Sequence, residues 1–245
     1  MKTLKLHKNL LATAVGAILT AVSSFSAVAG TVDLSGQVNA NLNTYTNGSV
    51  YPANGGFITI GGINFNLNAL PSDGTGVIQT NVDPTVFFNI PVGEFGVTTI
   101  YAIANSAFGT AGFTAGQLVF NGSLGDTFTY IFTEGDNIRD HATTGFNILA
   151  PNVFATMDFG QGDRLDVQKI VLPSVFATET LTGVAFSYVG DTVPGNGEAF
   201  LAALTTTTAA AAVPEPSTWA TMLLGFAGMG FIRNRRSRKN IARTD

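Results

Sequence analysis

The 245-residue chain has no cysteine. Disulfide staples, thiol nucleophiles and cysteine-zinc sites are therefore excluded, and the fold must stand on its apolar core. Histidine is almost as scarce, with only His7 and His141. A multi-histidine metal site cannot form, and any Ser-His-Asp triad in the body of the chain would depend on His141, with Asp140 beside it and no Gly-x-Ser-x-Gly elbow to serve it. Tryptophan occurs once, at Trp219, and charged residues make up only 11% of the chain. The charges present are unevenly placed. Between Gly30 and Val213 only Arg139, Arg164 and Lys169 are basic, against fourteen acidic residues, a net of about −11 that the whole-chain value of −4 conceals. That balance opposes binding to nucleic acid or to an anionic membrane and favours solubility, cations or basic partners.

Most of the missing basic residues lie at the ends. Lys2, Lys5 and Lys8 precede an apolar run from Leu10 to about Val22, and a polar stretch then leads to Ala27-Val28-Ala29. This is the layout of a secretory signal peptide, residues 1–29, with Ala27 and Ala29 placing the signal peptidase cut before Gly30. An uncleaved N-terminal anchor is the alternative.

At the other end, Pro214 and Pro216 bracket Glu215 and hold that segment extended and readable by an enzyme. Trp219 to Ile232 is apolar apart from Thr221. As a helix it would reach roughly 21 Å, against ~30 Å of hydrocarbon, so it predicts a short, marginal transmembrane helix. Arg233, Arg235, Arg236 and Arg238, with Lys239, should stay cytoplasmic, which puts the rest of the chain outside and gives it a transient hold on the inner membrane. A permanent single-pass anchor is the alternative.

Pro214, Glu215, Pro216, Trp219 and Ala220, followed by that span and the arginines, resemble the PEP-CTERM sorting signal in its Pro-Glu-Pro-x-x-Trp-Ala variant. The resemblance covers residues 214–239. It implies recognition and cleavage by an exosortase, a membrane enzyme of Gram-negative bacteria that make extracellular polysaccharide. It implies nothing about the activity of the exported domain.

The interior reads as β. Ile63-Asn64-Phe65-Asn66-Leu67-Asn68, Phe128-Thr129-Tyr130-Ile131-Phe132 and Val184-Ala185-Phe186-Ser187-Tyr188 alternate apolar with polar or small residues. Turn signals such as Asn54-Gly55-Gly56, Asn121-Gly122 and Gly160-Gln161-Gly162 punctuate them. Strands are predicted near residues 34, 60, 66, 79, 88, 98, 118, 130, 147, 155, 169, 186 and 200. The fold class is all-β: an antiparallel, jelly-roll-like β-sandwich over residues 30–204. A parallel β-helix is the alternative, without a repeat period to support it. Residues 205–213, four threonines, four alanines and a valine, read as a spacer, or else as a continued strand or short alanine helix.

Candidate chemistry is sparse. Glu94, Glu134, Glu179 and Glu198 are the glutamates from which a glycosidase pair would have to come. Asp158, Asp163 and Asp166, in a glycine-punctuated loop, are candidate calcium ligands, although ordinary acidic turns have the same composition. Tyrosines such as Tyr101 and Tyr188 are the candidate sugar platforms, and the phenylalanines read as core. The sequence therefore predicts a non-enzymatic, exported component of the cell surface or polysaccharide matrix, with signal peptidase and exosortase as processing partners. A calcium-dependent adhesin or carbohydrate-binding module is the alternative, and a secreted hydrolase or lyase a further one. Extracellular polysaccharide is a candidate partner; nucleic acid is not.

Overall fold

The computed structural model describes residues 29–45, 51–52, 54–70, 74–80, 86–144, 147–189, 197–208 and 223–224. In chain order the strands are β1 (Ala29–Val32), β2 (Ala40–Asn41), β3 (Gly56–Ile60), β4 (Ile63–Leu67), β5 (Gly76–Gln79), β6 (Phe87–Phe95), β7 (Val97–Ala107), β8 (Thr114–Gly122), β9 (Thr127–Thr133), β10 (Ala155–Gly160), β11 (Asp163–Val171), β12 (Thr180–Ser187) and β13 (Glu198–Thr208). The ladders between them are antiparallel. The larger sheet runs β10-β11-β7-β13-β5-β2, with β1 also on β13; the smaller runs β6-β12-β8-β9; β3 and β4 form a hairpin.

The two sheets pack as a sandwich. Ile100, Ala102 and Ala104 of β7 and Leu201 and Leu204 of β13 meet Leu118 and Phe120 of β8 and Val184 and Phe186 of β12. The larger sheet is buried on its other face as well. There Ile60, Phe65 and Leu67 of the hairpin join Ile103, Leu165, Val167, Phe200 and Ala203 in a second cluster. The expected two-sheet sandwich therefore carries a third layer.

Burial on both faces explains the sequences of the central strands. In β7 every residue from Ile100 to Ala107 is buried, and in β13 every residue from Ala199 to Thr206. Small alanines let layers approach on both sides, and no alternation survives. A register shift between Leu201 and Ala203 resets the phase, so Leu201 and Leu204 face the sandwich while Phe200 and Ala203 face the hairpin. By contrast β9 keeps a clean period of two, with Thr127, Thr129 and Ile131 outward and Phe128, Tyr130 and Phe132 inward. The hairpin turns on Gly61-Gly62, both at positive φ (60° and 80°), which no side chain with a Cβ adopts cheaply.

Four expectations need correction or placement. Thr205 to Thr208, expected as spacer, are the last four residues of β13; β-branched threonine suits a strand, and Thr205 and Thr206 are buried. Among the described residues, the folded unit runs from Ala29 to Thr208. Residues 147–150 are not a strand, because their polar groups serve a loop: Asn147 reaches Glu134, and the Ile148 carbonyl accepts from Arg139. The predicted membrane span lies outside the described residues except Leu223 and Leu224, which are helical, and no helix among the described residues is long and apolar enough to cross a membrane. Most of the signal peptide, Ala27 included, also lies outside them.

Candidate processing sites and a buried polar cluster

The first and last strands of the folded domain are neighbours. β1 lies antiparallel on β13, pairing Ala29 with Thr207, Gly30 with Thr206, Thr31 with Thr205 and Val32 with Leu204. The chain thus enters the domain beside the point where it leaves. The bond predicted for signal peptidase, before Gly30, and the last strand residue, Thr208, sit at the same end of that ladder. The threonines bind in both directions. Thr205 donates to the Asn64 carbonyl in the hairpin at 2.7 Å. The Thr206 hydroxyl lies between the Gly30 carbonyl, at 3.0 Å, and the Glu94 carboxylate of β6. Residues 209–213 then separate β13 from Pro214, a fully extended reach of about 17 Å.

Polar side chains are concentrated where β7, β10 and β11 meet the loop from Glu134 to Phe154. Asp166, fully buried on β11, accepts from Arg139 Nε at 2.7 Å and Nη2 at 2.9 Å, from Asn105 Nδ2 at 2.9 Å and from Thr156 Oγ1 at 2.6 Å. These bonds hold the Arg139 guanidinium protonated above its ordinary range. Arg164 donates to the carbonyls of Asp140 and Ala142, while burial pulls its own proton affinity down. His141 stands 3.3 Å by Nδ1 from Asp163 and packs against the Phe200 ring. Burial pushes the Asp163 carboxyl up, His141 partly offsetting it.

The three calcium candidates have separate partners. Asp158 is exposed and accepts from the Gly160 amide at 2.7 Å, Asp163 faces His141, and Asp166 is saturated by Arg139. Among the described residues, no three or more Asp, Glu, His or Cys side chains are grouped to hold a metal.

The four glutamates are likewise apart in role. Glu198 accepts from Gln79 Nε2 at 2.9 Å, Glu179 from the Leu124 amide at 2.8 Å, and Glu94 faces Thr206. Glu134 is 1% exposed, and its Oε2 accepts from Asn147 Nδ2 at 2.7 Å. Burial pushes its carboxyl up to about 7, with Asn147 and the nearby Ser106 hydroxyl opposing the shift. Neither Glu134 Oε1 nor Ser106 Oγ has a well-directed hydrogen-bond partner. Gly109 makes the niche: a Cβ there would lie 2.1 Å from the Glu134 carboxyl carbon.

Residues 212–236 match the family model of the PEP-CTERM protein-sorting motif. The chain carries a PEP-CTERM sorting signal. This is the C-terminal signal of exosortase substrates, so the protein is exported and an exosortase is its processing partner. The match spans Pro214, Glu215, Pro216, Trp219, Ala220, Arg233, Arg235 and Arg236, and Arg238 follows just beyond it. All of these lie outside the described residues. No curated protein matches the chain.

Upstream of the PEP-CTERM signal, the sandwich has one feature that the sequence did not suggest. On its smaller sheet a cleft of about 440 Å³ is lined by Gln37, Asn89, Pro91, Asn121, Thr182 and Gly183, among others. Pro91, Gly183 and Asn121 are direct cross-strand neighbours on β6, β12 and β8. No charged side chain lines the cleft. It has no tyrosine in its lining; strand pairing brings Asn89 and Asn121 to it, and Gln37 reaches it from the turn after β1.

Proposed function

We propose that the protein is a structural component of the cell surface or extracellular matrix, released or transferred when an exosortase cuts near Pro214-Glu215-Pro216. The observation that carries this reading is the ladder between β1 and β13. The Pro-Glu-Pro segment follows the last residue of β13, so a cut there leaves the strand pair whole, whereas the predicted Ala29–Gly30 cut falls within β1 and precedes its pairing. A role without catalysis is supported by Asp166, whose buried carboxylate is taken up by Arg139, Asn105 and Thr156 of its own fold.

The decisive experiment is the intact mass of protein recovered outside the cell, beside a variant with Pro214, Glu215 and Pro216 all changed to alanine. The native species should begin at Gly30 and end near Pro214, while the variant keeps its tail in the membrane fraction. A native protein still carrying Arg233 to Asp245 would make the tail a permanent anchor and refute release.

The uncharged cleft favours a second reading, a carbohydrate-binding module for a neutral polysaccharide. Amide side chains and a Thr hydroxyl offer the paired donors and acceptors that sugar hydroxyls need. Retention of the native domain on a neutral polysaccharide gel, lost in Asn89→Ala/Asn121→Ala, would support it; equal mobility of the two would dismiss it.

A further inference from the structure

Gly30 has an unusual environment for the first residue of a mature chain. Its carbonyl is bound by Thr206 at 3.0 Å, which fixes the residue on β13. A Cβ built on Gly30 would lie 3.0 Å from Thr206 Oγ1, 3.3 Å from Glu94 Oε2 and 3.5 Å from Glu94 Oε1. Three oxygens from two sheets therefore surround one empty direction from the Gly30 Cα. Before cleavage nothing occupies that direction, because the amide nitrogen continues into the signal peptide.

Cleavage changes which atom can go there. Once the bond before Gly30 is cut, its nitrogen becomes a terminal ammonium free to turn about the Cα–C bond. The N–Cα bond, about 1.5 Å, is close in length to Cα–Cβ, so a rotation of about 120° carries the nitrogen into the Cβ direction. Its distances to the three oxygens then fall within ion-pair and hydrogen-bond range. An ammonium has three donors. The Thr206 hydroxyl has a single proton to divide between the Gly30 carbonyl and Glu94, so the carboxylate has acceptor capacity to spare. Any residue with a side chain at position 30 would fill the space itself.

We propose that Glu94 and Thr206 form a binding site for the new α-ammonium of Gly30, so that signal-peptide removal adds an ionic lock between β1, β13 of the larger sheet and β6 of the smaller one. The proposal rests on cleavage between Ala29 and Gly30. The step itself is hydrolysis: water's hydroxyl goes to the Ala29 carbonyl carbon, the Gly30 nitrogen keeps its own hydrogen and takes water's other proton to become an amine, and the proton released by the new Ala29 carboxyl makes it the ammonium.

The test exploits the scarcity of amines. Between Gly30 and Val213 the only lysine is Lys169, so the exported, tail-processed protein has two amines, and acetylation by an activated ester can be followed at each by intact mass and peptide mapping. An ordinary α-amine has a pKa of ~7.7–8.0, and a rise of one unit would slow its acetylation at pH 7.5 about sevenfold. Native protein should show that protection at Gly30. Glu94→Gln should abolish it while the exposed Lys169 reacts at its native rate, which controls for the reagent, and the urea midpoint stays near native, which reports an intact fold. A second variant, with the cleavage site moved so that the chain begins at Ala29, should react quickly with or without Glu94→Gln. Equal Gly30 reactivity in native and Glu94→Gln protein overturns the lock. A native mass that does not begin at Gly30 overturns it one step earlier, at the processing on which it rests.

Discussion

Replacing Glu134 with glutamine should make the domain more stable above neutral pH, and by an amount that depends on pH. The Glu134 carboxyl is raised from 4.5 to about 7, with burial the largest cause. Because the folded state holds the proton more tightly, it carries one more proton than the unfolded chain between those two values. Stability is then highest below about pH 4.5, falls as pH rises towards 7, and levels off above. A shift of this size corresponds to about 3 kcal/mol at pH 8, where the native protein must bury the charge. Glutamine removes the charge. Its oxygen can accept from Asn147 as Glu134 Oε2 does, and its amide can donate to the Ser106 hydroxyl, which lacks a directed partner. The second amide hydrogen has no evident acceptor and should return about 1 kcal/mol. The net expectation is about 2 kcal/mol of added stability at pH 8 and a loss of roughly 0.5–1 kcal/mol at pH 4.5, where the unpaired amide hydrogen is no longer outweighed. Urea unfolding of the exported domain from pH 4.5 to 8 measures this directly. Asp163, also raised by burial, leaves a residual slope of the same sign in both proteins, so the difference between the curves is what counts. A variant with the native slope, or one less stable than native at pH 8, would refute the account of Glu134.

Gly109→Ala should destabilise by ~1–3 kcal/mol, because its Cβ would meet the Glu134 carboxyl at 2.1 Å; the urea midpoint should partly recover in Gly109→Ala/Glu134→Ala. Asp166→Ala should cost ~3–5 kcal/mol, since it leaves the Arg139 guanidinium without its anion in a largely buried site. Phe65→Ala should cost ~3–5 kcal/mol in thermal or urea unfolding, and hydrogen exchange should rise most in β3 and β4, the layer that Phe65 holds down. Millimolar calcium should leave the melting temperature unchanged, because Asp166 is already occupied; a clear rise would restore the aspartates as ligands.

How much of this was legible depended on whether a feature is local. The alternation in β4, β9 and β12 and the turn at Gly160-Gln161-Gly162 could be read directly, since one buried face and one exposed face write a period of two into the sequence. The PEP-CTERM signal was legible for a different reason: an enzyme reads it as linear sequence. The layered arrangement was not legible, because nothing in Gly56 to Leu67 states which sheet the hairpin covers. The threonine run looked like a spacer because low complexity resembles a linker; its true partners, Asn64, Gly30 and Glu94, are remote in sequence. The apolar stretch at Ile148 and Leu149 suggested a strand, yet both side chains are exposed and the backbone there serves Arg139. Glu134 was seen as a candidate acid, but the glycine that makes its niche and the asparagine that binds it belong to other segments.

The position of β13 imposes an order on export. It pairs with β7, β5 and β1, so the larger sheet cannot close until residues 198–208 have emerged. The contact between Thr206 and Gly30 spans 176 residues of chain, and such distant pairings make folding slow. The bond predicted for signal peptidase, Ala29–Gly30, therefore emerges while β1 still lacks its partner strand, which is when an extended segment is open to cleavage. Exosortase acts at the opposite stage. Its motif begins only a few residues after Thr208, so by the time Pro214 is outside, the whole of β13 is outside too and can pair. Processing at Pro-Glu-Pro thus leaves a chain whose last strand is complete, whereas a motif placed directly before Thr205 would remove the end of β13 that joins it to β1. Shifting the Pro-Glu-Pro segment to follow Leu204 directly should accordingly yield an exported product that loses its threonine bonds to Asn64 and Gly30 and is cleared by protease. A stable secreted product from that variant would show that the end of β13 is dispensable.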